Sequence, residues 1–414
     1  MSLKDHQILD AICKKQNLYL YAFTLACLFI FHYSALSSFL EDYVAHSIQL
    51  KVRESLSQDP KINPHLKVYA FDDYTVRKLH KSEFSLSDWS EVLGTFSESK
   101  PKGIIINEEF SIIPPGEDFS SFNDALAKAA PILIGSHTRA KTDIAYNNHL
   151  NLNRPEYQFK GALVNPSTSG AWLNILNHQT FGPSSLIEGS FYRIGHINYH
   201  YYGRIEPFRR VSKEHIIPHL TLLSAESFKI SEKKVIVDHM PVHLDQNNLL
   251  PINFPSQDKL YQHTKSIYPI YKRAKLQRRI TKVKEGDTIV IIPKFATGNS
   301  EMAHTPIGLI PRGFVVTSLV NSVLNKDWLT PINSHKTFII FGSFIGALCG
   351  LLLSPVWFWL SLLGLCATSI GIFTALFSYA NLVFPWMTLI ISIVFSAMLF
   401  FNTKIVKLYS SLKS

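Results

Sequence analysis

The chain has 414 residues, 46% of them hydrophobic and 17% charged, with a formal net charge of +10 at pH 7. The basic residues are not clustered with interleaved aromatics as in a nucleic-acid groove, so no nucleic-acid partner is expected. No Walker loop, nucleophile elbow, Gly-x-Gly-x-x-Gly run or zinc spacing of Cys and His occurs, and neither an enzyme nor a cofactor or metal is expected.

Residues 1–17 carry Lys4, Lys14 and Lys15 ahead of an apolar run at 18–37 in which only His32 titrates. By the positive-inside tendency this predicts a cytoplasmic amino end and a first span at 18–37. A cleaved signal peptide is the competing reading. It fits less well, because about 20 apolar residues exceed a signal core and Ala35 to Ser38 is a poor cleavage site. Residues 38–336 then form one extracytoplasmic segment. None of the four cysteines (Cys13, Cys27, Cys349, Cys366) falls in it, so it would fold on its core rather than on disulfides.

That segment opens with a juxtamembrane helix at 39–53, apolar at helical spacing, which Pro60 and Pro64 follow. A strand at 66–71 stops at Asp72 and Asp73 and passes into a helix at 74–80. Asp88 is predicted to cap the next helix, with Glu91 completing a capping box and Pro101 ending it. Residues 103–107 read as a strand, 120–130 as a helix and 131–135 as a strand. Strands this continuously apolar, alternating with helices, predict an α/β domain whose central sheet is mostly parallel and flanked by helices.

Residues 141–155 read as a surface loop. Beyond it the pattern predicts a hairpin of 194–199 with 205–212 turning at Tyr202 and Gly203, then a helix over 218–228. Short antiparallel strands follow at 235–237, 242–244 and 250–254. The basic stretch 271–279 reads as a solvated helix face, with attraction to anionic lipid or polymer as the alternative. A buried strand at 287–292 and a helix at 313–325 complete the segment. His196, His200, His215 and His219 read as ordinary surface or core histidines.

From Thr337 to Thr403 no Asp, Glu, Lys, Arg or His occurs in 67 consecutive residues. A hydrocarbon core about 30 Å thick takes roughly 20 helical residues to cross, so the run fits three spans. They are predicted at 337–353, 356–378 and 382–402, with Trp357, Trp359 and Trp386 beside the breaks. The expected fold is thus four transmembrane helices plus the external α/β domain. The tail, 403–414, carries three lysines and no acid, which predicts a cytoplasmic carboxyl end.

Asp72 and Asp73, and likewise Glu108 and Glu109, stand at or just beyond the carboxyl ends of two strands expected to be neighbours, where open α/β sheets place their sites. Paired carboxylates can share a proton or hold a divalent cation. The plainer reading is helix capping by Asp73 and solvated carboxylates on the rim.

The order of elements, together with residues 68–76, 103–110, 195–198, 252–254, 305–308 and 311–318 and three trailing spans, resembles the second type of CHASE domain (cyclases/histidine kinases associated sensory extracellular), here CHASE-two. The resemblance covers about residues 39–331. It implies a receptor in a bacterial inner membrane whose periplasmic domain biases a cytoplasmic cyclase, kinase or phosphatase. Asn107 stands where that family usually has Asp, and His200 lies where an acidic turn is expected. Asp72, Asp73, Asn107, Glu108, Glu109 and His200 are therefore the candidate ligand-binding residues. The 12-residue tail is too short for an output module, which implies a sensor subunit acting through a separate membrane or cytoplasmic partner. The expected partners are an external ligand or protein of unknown identity, that signalling partner and membrane lipid, and a homodimer is admitted. The alternative expectation is a scaffolding protein of the envelope that keeps the fold without a ligand.

Overall fold

The computed structural model describes residues 15–108, 119–128, 132–140, 178–181, 192–199, 202–210, 216–231, 234–276 and 283–413. The chain divides into two compact units, one of residues 1–58 with 331–414 and the other of residues 59–330.

The first unit begins with α1 (Lys15–His32) and α2 (Ala35–Ser55), which meet at a 69° bend. The first apolar helix therefore stops five residues short of the expected 18–37. Ser34 is the reason: its hydroxyl accepts the Ser37 N–H at 3.2 Å and donates to the Phe31 carbonyl at 2.6 Å, capping α2 and ending α1. Within α2, Leu40–Ala45 is π-helical, and the expected juxtamembrane helix lies inside this element.

In the second unit the central sheet holds β1 (Leu66–Ala70), β2 (Gly103–Ile106), β3 (Ile132–Ala140), β4 (His178–Phe181) and β5 (Tyr192–His196). Between β1 and β2 come α3 (Asp73–Leu79) and α4 (Leu86–Ser97), and between β2 and β3 comes α5 (Phe119–Lys128). After β5 the chain makes short pieces: β6 (Arg204–Ile205), β7 (Phe208–Arg210), β8 (Ile216–Pro218), then an antiparallel sheet of β9 (Phe228–Ser231), β10 (Lys234–Val237) and β11 (Met240–His243). It continues through β12 (Leu250–Pro251), α6 (Gln257–His263), β13 (Thr264–Ser266), α7 (Tyr268–Lys275) and β14 (Thr288–Ile292). A β15 (Met302–Thr305) and β16 (Gly308–Pro311) hairpin then leads into α8 (Arg312–Asn325).

The sheet order is β13, β1, β14, β2, β3, with all these pairs parallel; β5 adds to β3 in parallel and β4 pairs β3 antiparallel. Side chains alternate between two cores. Val68, Ile105, Leu133, Val290 and Ile292 pack with Phe314, Leu319 and Leu220 on one face. Tyr69, Ile104, Ile106, Ile134 and Ile291 pack with Trp89, Phe96, Phe122 and Ile270 on the other. A sheet covered by helices on both faces explains why its strands read as unbroken apolar runs.

Three expectations are corrected. The β5 residues 194–196 extend the parallel sheet instead of forming a hairpin with 205–212; Tyr202 (φ 62°) and Gly203 (φ 79°) make the turn, but it delivers β6 to β12. Only a 3-10 turn, Leu220–Ser224, forms where a helix was expected at 218–228, and Phe228 already belongs to β9 because it pairs with Val237. The cap of α4 is Ser85, one turn before the expected start. Asp88 is the partner in its capping box rather than the cap. The edge strand β13, mostly polar, carries no apolar signal and was not foreseen.

Asp88 gives a testable outcome. Its side chain is buried and accepts hydrogen bonds from Lys81 Nζ (2.7 Å), Ser85 N (3.0 Å) and Ser85 Oγ (2.8 Å). Burial pushes this carboxyl up, but the Lys81 ammonium and the Ser85 donors outweigh it and hold it below the usual carboxylate range. A depressed folded value adds stability above the unfolded pKa of about 3.9 that is lost as pH falls through the folded one. Asp88→Ala is expected to cost about 1–3 kcal/mol at pH 7, with the gap to wild type closing below about pH 4. Denaturant titrations at both pH values check it, and a gap independent of pH refutes it.

The chain re-enters the first unit and forms α9 (His335–Leu352), α10 (Pro355–Ala380) and α11 (Trp386–Lys413), each long and apolar enough to cross a membrane. Pro355 starts α10 at its first turn, and Asn381 in the left-handed region (φ 56°) ends it. The first turn of α11 is held by Glu41 of α2, which accepts from Thr388 N at 2.9 Å and Thr388 Oγ1 at 3.0 Å. Arg53 reaches the other turn, donating to Asn381 Oδ1 at 2.7 Å and lying 5.2 Å over the Phe377 ring. The first turn of a helix leaves its main-chain N–H groups without intrahelical partners, and Glu41 supplies one for Thr388.

Candidate functional site

The expected site residues fall into two separate places, because β14 lies between β1 and β2. The assumption that the first two strands are neighbours is thereby corrected; the later strand pairs in parallel with both and separates them, which sequence order does not disclose.

At the end of β1, Asp72 is occupied structurally. Its Oδ1 accepts from Thr75 N (2.9 Å), Thr75 Oγ1 (2.7 Å) and Ser266 Oγ (2.7 Å), capping α3 and joining it to β13. The cap is thus Asp72 rather than Asp73. Asp73 instead receives Thr297 N and Thr297 Oγ1, each at 2.7 Å, which pin the loop after β14. Those two donors hold the exposed Asp73 carboxyl below its ordinary range.

At the end of β2 a small cleft opens, lined by Asn107, Glu108, Ile197, Ile292, Lys294, Glu301, Arg312 and Gly313. Parallel strands place it: β2 and β14 end side by side, and α8 begins there with Arg312 and Gly313. The amide N–H of Asn107 continues the ladder to the Ile291 carbonyl at 3.1 Å, which aims the chain out of the sheet. Four charges then alternate in sign. Lys294 Nζ lies 3.0 Å from Glu108 and 3.7 Å from Glu301, and Arg312 lies 3.0 Å from the other oxygen of Glu301. Burial lowers the Lys294 pKa, but Glu108 and Glu301 more than offset it and keep the ammonium firmly charged.

Two features make this more than a rim ion-pair network. Asn107 Oδ1 is buried with no hydrogen-bond partner, and an acceptor in that state costs free energy until a donor arrives. The helix α8 follows Pro311 without a side-chain cap, its Arg312 N–H held by the Glu301 carbonyl at 2.7 Å, and its positive end lies at a cleft that also holds Arg312. The cavity measures about 20 Å³, the room of about one water.

Glu109 and His200 lie outside the described residues. Lys294, Glu301 and Arg312 were missed by sequence reasoning. Arg312 belongs to the stretch 311–318 that carried the resemblance, and Lys294 follows the end of the buried strand by two residues, the position from which a side chain overhangs a parallel sheet. His196 and His219 do meet, edge to face at 5.0 Å between ring centroids, and both are fully buried, as core histidines. Among the described residues no group of three or more His, Cys, Asp or Glu could hold a metal ion. In the basic stretch, Lys275 is paired with Glu91 and lies over the Tyr271 ring at 5.5 Å.

No family model, no curated protein and no solved structure matches this chain.

Proposed function

We propose that the chain is a membrane-anchored extracytoplasmic sensor of the CHASE-two kind, with the 59–330 unit outside, both termini in the cytoplasm, and a signal passed to a separate membrane or cytoplasmic partner such as a cyclase, kinase or phosphatase. In this reading the bent pair α1 and α2 supplies a fourth span, and the protein lacks enzymatic activity of its own. The observation that carries it is the placement of α8. The amino end of that helix borders the cleft, and about 20 Å further on its carboxyl end grips the segment by which the chain enters the external unit. Asn321 Oδ1 accepts from Asn63 N at 2.8 Å, Asn325 Oδ1 accepts from Asn63 Nδ2 at 2.7 Å, and both asparagines donate to the Lys61 carbonyl. The helix is buried from Gly313 to Val323, so an occupant that displaces its first turn moves a rigid rod rather than a fraying end. Coupling of about 1–3 kcal/mol between cleft and clasp would be enough to bias a partner.

The scaffold reading is favoured by one observation, that the four charged side chains of the cleft already satisfy one another. Isolation of the full-length chain from membranes discriminates. Co-purification of a cyclase, kinase or phosphatase, with output that depends on the Asn321→Ala and Asn325→Ala clasp, is expected. Envelope-assembly proteins in their place, or a reporter fused at Ser414 that reads as external, would overturn the proposal.

A further inference from the structure

We propose that the cleft beside Asn107 receives the head group of a small zwitterion, a free α-amino acid or a compound with the same adjacent ammonium and carboxylate. The proposal rests on the sensor reading and names the ligand class of its site.

Charge comes first. Two carboxylates, Glu108 and Glu301, and two cations, Lys294 and Arg312, converge on one opening. A ligand of single charge would match half of this set and leave the other half with a displaced partner. A ligand bearing both charges a few ångströms apart replaces an internal pair with two of its own.

Hydrogen bonding supplies the polarity. Asn107 Oδ1 is a buried acceptor without a donor, and an ammonium placed there finds Glu108, the next residue in the chain, as its counter-charge. The carboxylate is then directed to Arg312 and the start of the 14-residue helix α8, where the helix dipole favours an anion, although the Arg312 N–H itself already donates to the Glu301 carbonyl at 2.7 Å. Asn107 and the helix start are separate observations that assign opposite ends of one ligand.

Size sets the mode of entry. The cleft, open to solvent, offers about 20 Å³, the room of about one water, so the head group enters by parting an existing contact. The longest is Lys294 to Glu301 at 3.7 Å, and both side chains are partly exposed, at 39% and 45%. An exposed pair of that length costs little to open. Ile197 and Ile292 close the wall with apolar surface, which selects a ligand with a small or apolar substituent.

The test uses the full-length chain in detergent or nanodiscs, with calorimetry and thermal shift. Glycine, alanine and larger amino acids are compared with methylammonium, acetate, glycinamide and N-acetylglycine. Zwitterions are expected to bind, with each blocked or single-charge compound weaker by about tenfold or more. Glu108→Gln should erase the preference for glycine over acetate, and Arg312→Gln the preference for glycine over methylammonium. Acetate or methylammonium binding as well as glycine overturns the proposal, as does no response to any zwitterion. A wider metabolite panel separates the two readings: a non-zwitterion whose shift disappears in Asn107→Leu sinks the ligand class but leaves the sensor. Silence across the whole panel, with only envelope-assembly proteins co-purifying, sinks both.

Discussion

Gly346→Leu is expected to lower the stability of the membrane unit by at least about 3 kcal/mol, enough to lose most folded protein from the membrane. Gly342, Gly346 and Gly350 recur every four residues on α9, and each faces α11 main chain. A Cβ on Gly342 would stand 2.9 Å from the Leu389 carbonyl oxygen. One on Gly346 would overlap the Ile393 carbonyl oxygen and stand 2.9 Å from Ala397 N, and one on Gly350 would stand 2.6 Å from the Ala397 carbonyl oxygen. The partners advance by four as the glycines do, so α9 and α11 run parallel, as they must if α10 returns the chain between them. Ser396 Oγ crosses the seam to the Ser343 carbonyl at 2.7 Å. Lipid tails are as apolar as leucine, so what joins these helices is close approach and hydrogen bonding, and a leucine removes both by forcing the axes apart. By contrast Gly364 and Gly371 on α10 have nothing within 4 Å of a built Cβ, and the same change there is expected to leave stability nearly unaltered. Thermal denaturation of the two sets in one detergent checks the contrast, and equal losses would refute it.

These glycines illustrate what could be read from sequence and what could not. The three carboxyl-terminal spans followed from the absence of charge over residues 337–403, a signal strong enough that the helix ends differ by only a few residues, except where α11 continues through Lys404 and Lys407 to Lys413. The parallel strands were legible because Ile104, Ile105 and Ile106, like Ile289 to Ile292, are apolar at every position, which only a sheet buried on both faces needs. What failed was long-range pairing. Nothing local to 288–292 says that it inserts between β1 and β2, and nothing local to 194–196 says that it adds to β3. The site suffered for the same reason. Glu108 was picked out because strand ends can be found locally, and Asn107 because it stands where the resembled family has Asp, while Lys294, Glu301 and Arg312 reach them only through that non-local insertion. Asp72, an equally good guess on sequence grounds, turned out to cap α3 because Thr75 and Ser266 were near enough to claim its oxygen.

Gly195→Ala, in the 59–330 unit, is expected to cost roughly 3 kcal/mol or more and to resist compensation. A Cβ there would overlap Leu220 Cα and stand 2.7 Å from Leu220 N, so the obstacle is main chain, in the 3-10 turn packed on β5. That turn is tied beside His196 by the bridge to His219, and the His219 ring is itself fixed by Thr221 Oγ1 at 2.9 Å. Relief would require the whole turn to leave the sheet and expose Leu220, Leu222 and Leu223, each buried in the core. Gly313→Ala offers the control. Its Cβ would also collide, but with the Ile292 side chain, whose Cγ1 would lie 2.7 Å away. Trimming Ile292 to alanine removes that obstacle, at the usual cost of about 2–5 kcal/mol for the single change. In Gly313→Ala/Ile292→Ala the new methyl occupies part of the vacated space, so the double variant should be more stable than the sum of the two single losses. For Gly195→Ala, Leu220→Ala removes the side chain but neither offending atom, and the losses should simply add. Denaturant midpoints of the two cycles decide the matter: coupling at 313 with additivity at 195 is the expected result, and the reverse would mean that the main chain at Leu220 yields more easily than a core isoleucine.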